Sequence, residues 1–238
     1  MNINTLSIII PVYNEAATIK QVLQRVCEVK LIHNIKKEII VVNDGSTDQS
    51  EKNIKEFINN SSEQIVYVSN STNKGKGASI KEGIKKITGE FMIIQDADLE
   101  YNPEEINILL GPVIEGYADV VYGSRFLGGK AHRILFFWHS LGNKVLTFLS
   151  NMFTNLNFTD METCYKLVRS SMIKSIKLKE PRFGFEPEIT AKLAKIPDIR
   201  IYEVGISYYG RKFKEGKKIN WIDGIRAIYC VLKYNLFT

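Results

Sequence analysis

The run FMIIQDAD, residues 91–98, joins four apolar residues to two aspartates that stand one residue apart. A short apolar run of this kind is typical of a strand buried on both faces of a parallel sheet. Asp96 and Asp98 follow the run closely, so both carboxylates can face one ligand. The sequence therefore predicts a buried strand that carries an acidic loop at its carboxyl end.

Strand and helix patterns alternate on both sides of this run. Further strands are predicted at residues 6–10, 38–42, 64–69 and 119–123. Helices are predicted at residues 16–29, 48–58, 78–87 and 102–110, the last with Asn102 as its cap and Pro103 in its first turn. Repeated strand–helix units predict an α/β fold, with a mostly parallel, Rossmann-like sheet and helices on both faces.

Polar loops follow three of the predicted strands. They are YNE (residues 13–15), NDGS (residues 43–46) and DAD (residues 96–98). Ligands of open parallel sheets bind outside the carboxyl ends of the strands, where such loops meet. We therefore expect the three loops to form one rim that binds a nucleotide or a sugar.

The composition fits one globular domain. The chain has 238 residues, of which 45% are hydrophobic and 24% are charged. No apolar run approaches the ~20 residues of a spanning helix, and the N-terminus lacks the pattern of a signal peptide. We therefore expect a soluble or peripheral protein in the cytoplasm.

The net charge of +6 and the pI of about 9.0 suit an anionic partner, such as nucleic acid, anionic lipid or a phosphorylated small molecule. Charge alone does not choose among these partners. The three cysteines and three histidines have no zinc-ligand spacing, so zinc is not expected.

The acidic loop offers hard oxygen ligands for a metal. Asp96, Asp98 and Glu100 suit Mg²⁺ or Mn²⁺, which completes its shell with phosphate oxygens. Such a metal stabilises the charge of a departing nucleoside diphosphate. The alternative is a solvated acidic loop, and the position beside two other polar loops favours the metal site.

Three other candidates each have two interpretations. Asp44 either binds a base or ribose or is a turn aspartate. Glu15 either contacts the ligand or is a first-turn charge of a helix. The loop NKGKGA, residues 73–78, leads into a helix, so its glycines and Lys76 either approach a phosphate or form a flexible basic turn. Its spacing is not that of a Walker A loop.

Four motifs occur in a fixed order along the first half of the chain: PVYNE (residues 11–15), VVNDGSTD (41–48), NKGKG (73–77) and DAD (96–98). This order resembles the family-2 glycosyltransferases, inverting enzymes with the GT-A nucleotide-sugar fold. DADLE (96–100) and YGSRF (122–126) are similar to the dolichol-phosphate mannosyltransferase branch, which transfers mannose or glucose to a polyprenyl phosphate. That branch usually has Gln at the position of Glu100, which leaves the third metal contact open.

The resemblance implies roles for particular residues. Those implied to bind the nucleotide sugar are Pro11, Tyr13, Glu15, Asp44, Lys76 and Asp96. Asp96, Asp98 and Glu100 would bind the metal, while Arg125 and Arg133 would meet phosphates of the donor or the acceptor. The stretch YYGRKFKEGKK, residues 208–218, resembles the basic loop that closes over the diphosphate, with Arg211 and Lys217 as its binding residues.

Asp160 and Glu162 follow an aromatic region of the chain. A hydroxyl acceptor needs a carboxylate base, whereas an acceptor phosphate is already anionic and needs cations such as Arg125. Asp160 or Glu162 is therefore a base, a residue that positions the donor sugar or steers the acceptor, or a structural cap. The predicted catalytic residues are Asp98, Arg125 and Asp160.

Residues 134–158 mix aromatic and aliphatic side chains with polar ones, which predicts one or two amphipathic helices. Their apolar face either packs on the sheet or dips into a membrane surface. A polyprenyl acceptor needs a route from the bilayer, so partial membrane contact is expected. Whether a separate membrane protein is also required stays open. Residues 1–130 would form the nucleotide-sugar half, and residues 131–238 the acceptor half, of one GT-A domain.

The leading hypothesis is a metal-dependent, inverting transfer of mannose or glucose from GDP-mannose or UDP-glucose to a polyprenyl (dolichyl or undecaprenyl) phosphate. One alternative keeps the donor but transfers the sugar to a saccharide hydroxyl in glycan assembly. More distant alternatives are a nucleotidyltransferase and a basic nucleic-acid-binding domain. An acidic loop would repel a nucleic-acid backbone, so no nucleic acid is expected as a partner.

Overall fold

The computed structural model describes residues 3–128, 133–134, 136–211 and 221–237. In this part of the chain, seven strands form one sheet in the order β3-β2-β1-β4-β6-β5-β7. Their bounds are β1 Thr5–Val12, β2 Lys36–Asp44, β3 Ile65–Asn70, β4 Phe91–Ile94, β5 Val120–Ser124, β6 Lys166–Arg169 and β7 Ile201–Gly205. Strand β6 runs antiparallel to its neighbours β4 and β5, and the other pairs are parallel.

Within these described ranges, eight α-helices connect and flank the strands. They are α1 Ile19–Glu28, α2 Ser50–Asn60, α3 Lys76–Ile84, α4 Ile106–Ile114, α5 Phe137–Thr154, α6 Ser170–Ser175, α7 Phe185–Leu193 and α8 Trp221–Leu236. Short 3-10 helices cover Ile32–Asn34 and Pro103–Glu105. The order of the elements confirms the predicted α/β class.

The core is centred on β1 and its two parallel neighbours, β2 and β4. Ile8 of β1 lies beside Ile39 of β2 and Ile93 of β4, and all three side chains are fully buried. Burial on both faces explains why these strands are continuous apolar runs with no alternation of polar residues. The rigid centre holds the carboxyl ends of β1, β2 and β4 side by side.

The five predicted strands lie within a residue or two of the observed ones, and the helix ends differ more. The third helix ends at Ile84 instead of residue 87, and α4 continues to Ile114 instead of residue 110, past Pro112. Asn102 does cap the preceding 3-10 turn, since its side chain accepts a hydrogen bond from the backbone N–H of Glu104 at 3.3 Å.

Strands β6 and β7 were not predicted from the sequence. The first residue of β6 is Lys166, whose fully buried ammonium group contacts Glu186 on α7. A charged residue at that place hides the strand from an apolar pattern. Because β6 is antiparallel, its amino end lies at the same edge of the sheet as the carboxyl ends of the other strands.

Helix α5 has the reverse of the usual polarity. Its buried residues are Asn143, Thr147 and Ser150, while Trp138 and Phe148 are 78% and 66% exposed. Helix α5 packs against α8, which also exposes apolar residues. The predicted amphipathic helix is therefore present, but its apolar side chains lie outside the core. Among the described residues, no helix has both the length and the apolar character needed to cross a bilayer.

Close packing of α3 on β1 allows a test of the fold. A Cβ atom added at Gly83 would lie 2.5 Å from Cγ2 of Ile9, whereas one added at Gly142 in α5 would meet nothing within 4 Å. We expect Gly83→Ala to lower the free energy of unfolding by about 1–3 kcal/mol through overpacking. Gly142→Ala is expected to raise it by up to about 1 kcal/mol through helix propensity. Urea unfolding followed by circular dichroism measures both, and equal effects would contradict the packing.

Candidate active site

A cleft of about 1130 Å³ lies at the carboxyl edge of the sheet. The loops after β1, β2, β4, β5 and β7 and the segment before β6 all contribute to its wall. The predicted residues that line it are Pro11, Tyr13, Glu15, Asp44, Lys76, Asp96, Asp98, Glu100, Arg125 and Arg211. The structure thus brings the three polar loops together at one rim. Asp160 and Arg133 are not in the wall, and Lys217 lies outside the described residues.

Arg211 connects three acidic residues of the cleft. Its guanidinium binds both carboxylate oxygens of Glu15, at 3.0 and 3.1 Å, and one oxygen of Asp98 at 3.0 Å. Its backbone N–H donates to Glu100 at 2.6 Å. The planar guanidinium matches the geometry of the Glu15 carboxylate, and its positive charge compensates the negative charge of the acidic loop.

Asp98 is the most perturbed carboxyl group of the loop. Burial raises its pKa to about 7, and the charges of Asp96 and Glu100 act in the same direction, while Arg211 opposes them. A carboxyl group with such a pKa in a cleft is typical of a functional site. Glu100 already has hydrogen-bond partners, because its carboxylate accepts from the Tyr208 hydroxyl at 2.7 Å and from the Arg211 backbone N–H. Its predicted place in the metal site competes with these two bonds.

Lys76, the first residue of α3, connects the acidic loop to α7. Its ammonium nitrogen lies 2.9 Å from Oδ1 of Asp96 and 3.7 Å from Oε1 of Glu186. Burial alone would lower the pKa of Lys76, but the charges of Asp96 and Glu186 hold it well above the usual value. The other oxygen of Glu186 lies 2.5 Å from the buried Lys166 ammonium. Four charges of alternating sign therefore run from the rim into the core.

Asp44 holds the loop that precedes α3. One carboxylate oxygen accepts from the backbone N–H of Gly75 at 2.7 Å, and the other accepts from Lys74 N–H at 3.1 Å and from the Asn70 amide at 2.8 Å. Gly75 has φ +97°, and a Cβ there would lie 2.5 Å from the Pro181 carbonyl oxygen. The loop is thus fixed by Asp44 and requires glycine. Nucleotide binding by Asp44 stays a prediction.

Arg125 and Asp160 form a bidentate ion pair. Arg125 Nε donates to one Asp160 oxygen at 2.6 Å and Nη2 to the other at 2.7 Å, and the Asn143 amide of α5 donates to the second oxygen at 3.3 Å. Asp160 is 0% exposed, whereas Arg125 lines the cleft and lies 5.1 Å from the centre of the Tyr208 ring. Asp160 therefore lies behind Arg125 and positions it.

Several residues of this region were not predicted from the sequence. The sequence pattern places Asn143 in an amphipathic segment and Lys166 in no element, although Asn143 contacts Arg125 and Lys166 contacts Glu186 in the cleft. A polar residue inside an apolar segment was the available signal for both. Arg133 is exposed and donates from its backbone N–H to Tyr208 and from its guanidinium to the Gly210 carbonyl, at 2.9 and 2.6 Å. It therefore supports the segment that carries Arg211.

The described part of the chain contains no group of three or more His, Cys, Asp or Glu side chains that would hold a metal by itself. Two carboxylates, Asp96 and Asp98, do line the cleft. Mg²⁺ is commonly bound by one or two carboxylates together with phosphates of the substrate. The donor set therefore fits a divalent cation that arrives with a diphosphate.

Named relatives match most of the chain. Undecaprenyl-phosphate 4-deoxy-4-formamido-L-arabinose transferase of Proteus mirabilis is 28% identical over 97% of this chain and 67% of its own length. Dolichol-phosphate mannosyltransferase of Pyrococcus furiosus is 25% identical over 96% of this chain and 64% of its own length. Dodecaprenyl-phosphate galacturonate synthase of Rhizobium johnstonii is 25% identical over 87% of this chain and 60% of its own length. The chain spans 60 to 67% of the length of these relatives.

Solved structures share the fold. Glucosyl-3-phosphoglycerate synthase from Mycobacterium tuberculosis, crystallised with Mn²⁺, UDP and phosphoglyceric acid, aligns with a TM-score of 0.75 at 18% identity. The alignment covers 99% of this chain and 80% of that one. The predicted GT-A fold is therefore confirmed. The sequence model of glycosyl transferase family 2 matches residues 7–177. The chain thus belongs to glycosyl transferase family 2.

Proposed function

We propose that this chain transfers a hexose, with inversion, from a nucleotide-diphosphate sugar to a polyprenyl phosphate. The observation that carries the proposal is the wall of the cleft, where the carboxylates of Asp96 and Asp98 lie among the cations of Lys76, Arg125 and Arg211. Such a wall suits two phosphorylated substrates. The three named relatives carry undecaprenyl, dodecaprenyl or dolichol phosphate in their names.

The donor end of the proposed site is the acidic loop. Asp96 and Asp98 would hold Mg²⁺ or Mn²⁺, which neutralises the departing diphosphate when it is bound. Lys76 and Arg211 now pair with these carboxylates, and the same cations are placed to contact phosphate oxygens. GDP-mannose and UDP-glucose are the proposed donors, with Pro11, Tyr13, Glu15 and Asp44 on the nucleotide side.

The acceptor end is proposed to be Arg125. A phosphate acceptor is already an anion, so it needs a positioned cation and no strong base. Asp160 supplies that positioning through its two bonds to Arg125. The same pair argues against Asp160 as the base that a saccharide hydroxyl would need, because Asp160 would have to leave Arg125 to act as one.

A lipid acceptor also requires contact with a membrane, and α5 and α8 support it. Trp138, Gly142 and Leu146 of α5 and Ala227 of α8 line the cleft, so the exposed apolar surface of these helices continues into it. Helix α5 has no acidic residue, and its only charged residue, Lys144, is exposed. We propose that this surface, including Phe148, contacts the acyl chains of an anionic bilayer.

Removal of one proposed metal ligand tests the donor chemistry. Asp98→Asn is expected to lower kcat by about 100-fold or more, because it weakens stabilisation of the leaving diphosphate. Release of the nucleoside diphosphate from GDP-mannose or UDP-glucose, with a short polyprenyl phosphate and Mg²⁺ or Mn²⁺, measures it. Glu104→Gln, an exposed carboxylate outside the cleft wall, is the control. Full turnover by Asp98→Asn, or in excess EDTA, would contradict the proposal.

Substitution of Arg125 tests the acceptor end. Arg125→Lys keeps the charge but loses the bidentate geometry, so KM for the polyprenyl phosphate should rise by about tenfold or more. KM for the donor should change by less than about twofold, since the donor phosphates would bind elsewhere. Steady-state kinetics with each substrate varied in turn separates the two constants. A rise confined to the KM of the donor would refute the assignment.

Vesicle binding tests the membrane contact. Phe148→Ser should weaken binding to phosphatidylglycerol vesicles by about tenfold, because burial of a phenylalanine side chain contributes roughly 1.5–3 kcal/mol. Co-sedimentation at several lipid concentrations measures the binding. Tyr117→Ser removes a side chain that is 56% exposed and belongs to neither α5 nor α8, so it is the matched control. Equal losses in both variants would disprove a specific surface.

A further inference from the structure

Two carboxylates in the cleft have an oxygen atom without a hydrogen-bond partner. Oε1 of Glu162 and Oε1 of Glu186 are both buried and accept no hydrogen bond from any described residue. Glu186 is 4% exposed, and both residues line the cleft. Buried acceptors are nearly always paired in folded proteins, because an unpaired one costs free energy. Oε1 of Glu186 has an ion-pair partner at longer range, the Lys76 ammonium at 3.7 Å, but among the described residues neither atom has a donor within hydrogen-bond distance. A ligand in the cleft can supply such donors.

The cations nearby already have partners. Lys166 pairs with Glu186, Lys76 with Asp96, and Arg125 with Asp160. When these pairs are assigned, Glu162 is the one carboxylate of the group that has no ion pair with a described residue. Burial raises its pKa to about 7, and the charge of Glu186 acts in the same direction, against Lys166 and Arg125.

The two carboxylates also lie at a defined place in the cleft. Lys76 connects Glu186 to the acidic loop, because its ammonium nitrogen lies 3.7 Å from Glu186 and 2.9 Å from Asp96. Glu162 lines the same cleft as Arg125, and the charges of Arg125 and Glu186 both act on it. Glu162 and Glu186 are therefore adjacent to the donor end and to the acceptor end. In the proposed reaction, the transferred sugar would lie between these two ends.

We propose that Glu162 and Glu186 form a subsite that accepts hydrogen bonds from hydroxyl groups of a neutral hexose in the donor. This inference rests on the proposed function and adds the residues that select the sugar. The buried ammonium of Lys166 fixes Glu186 through its second oxygen, which leaves Oε1 facing the cleft. The subsite would reject a uronic acid, because a sugar carboxylate would face two acidic side chains.

Donor binding and turnover together test the subsite. Turnover of GDP-mannose or UDP-glucose by the wild-type chain is measured first, and its absence with every donor would remove the proposed function itself. In Glu162→Gln, the Kd of the free nucleoside diphosphate should change by less than about twofold, whereas the KM of the sugar nucleotide should rise about tenfold. An equal rise in both constants would show that Glu162 only supports the fold and would overturn the subsite.

Deoxy donors identify the contact directly. In the wild type, loss of the hydroxyl that Glu162 accepts should raise KM about tenfold, and Glu162→Gln should no longer distinguish that analogue from the parent sugar. Glu104→Gln should retain the full distinction, and thermal unfolding verifies that both variants are folded. Additive effects for every deoxy analogue, or a wild-type preference for a nucleotide-linked uronic acid, would overturn the inference.

Discussion

Charge compensation by Arg211 is the constraint on which the cleft depends. Glu15 follows β1, Asp98 and Glu100 follow β4, and all three contact one residue that follows β7. Like charges brought this close repel one another strongly when they are removed from water, so a cation must lie between them. The ion pairs therefore join the first and last parts of the chain across the sheet. Neither proposed half of the domain has a complete site alone.

Pairing of buried charges also organises the rest of the site. In two of these pairs, one residue lines the cleft and the other holds it from behind. Asp160 and Lys166 are fully buried, and each holds a partner, Arg125 or Glu186, that lines the cleft. A buried ion is stable only when it is paired and hydrogen-bonded, so these partners have few alternative conformations. The geometry at the wall of the cleft thus depends on side chains that lie behind the wall.

The sequence predicted the parallel part of the fold because its strands are apolar on both faces and end in polar loops. Asp96 and Asp98 were recognisable from that context. The antiparallel strand β6 was not recognisable, because it begins with a charged residue, Lys166. The partner of Lys166 is Glu186, which is 20 residues away in the sequence. Contacts of this kind depend on tertiary packing and leave no local pattern. The ion pair of Arg125 with Asp160 was missed for the same reason, although both residues had been selected separately.

Helix α5 reverses the usual relation between hydropathy and tolerance to substitution. Stabilising a protein by replacing buried polar residues with apolar ones would change Asn143 to leucine. The Asp160 carboxylate would then lose one of its hydrogen-bond donors. The same approach would leave Phe148 unchanged, although its exposed side chain contributes nothing to the described core. Along this helix, a substitution that makes the buried side more apolar therefore damages the site, and the exposed aromatic residues affect what the outer surface binds without affecting the core.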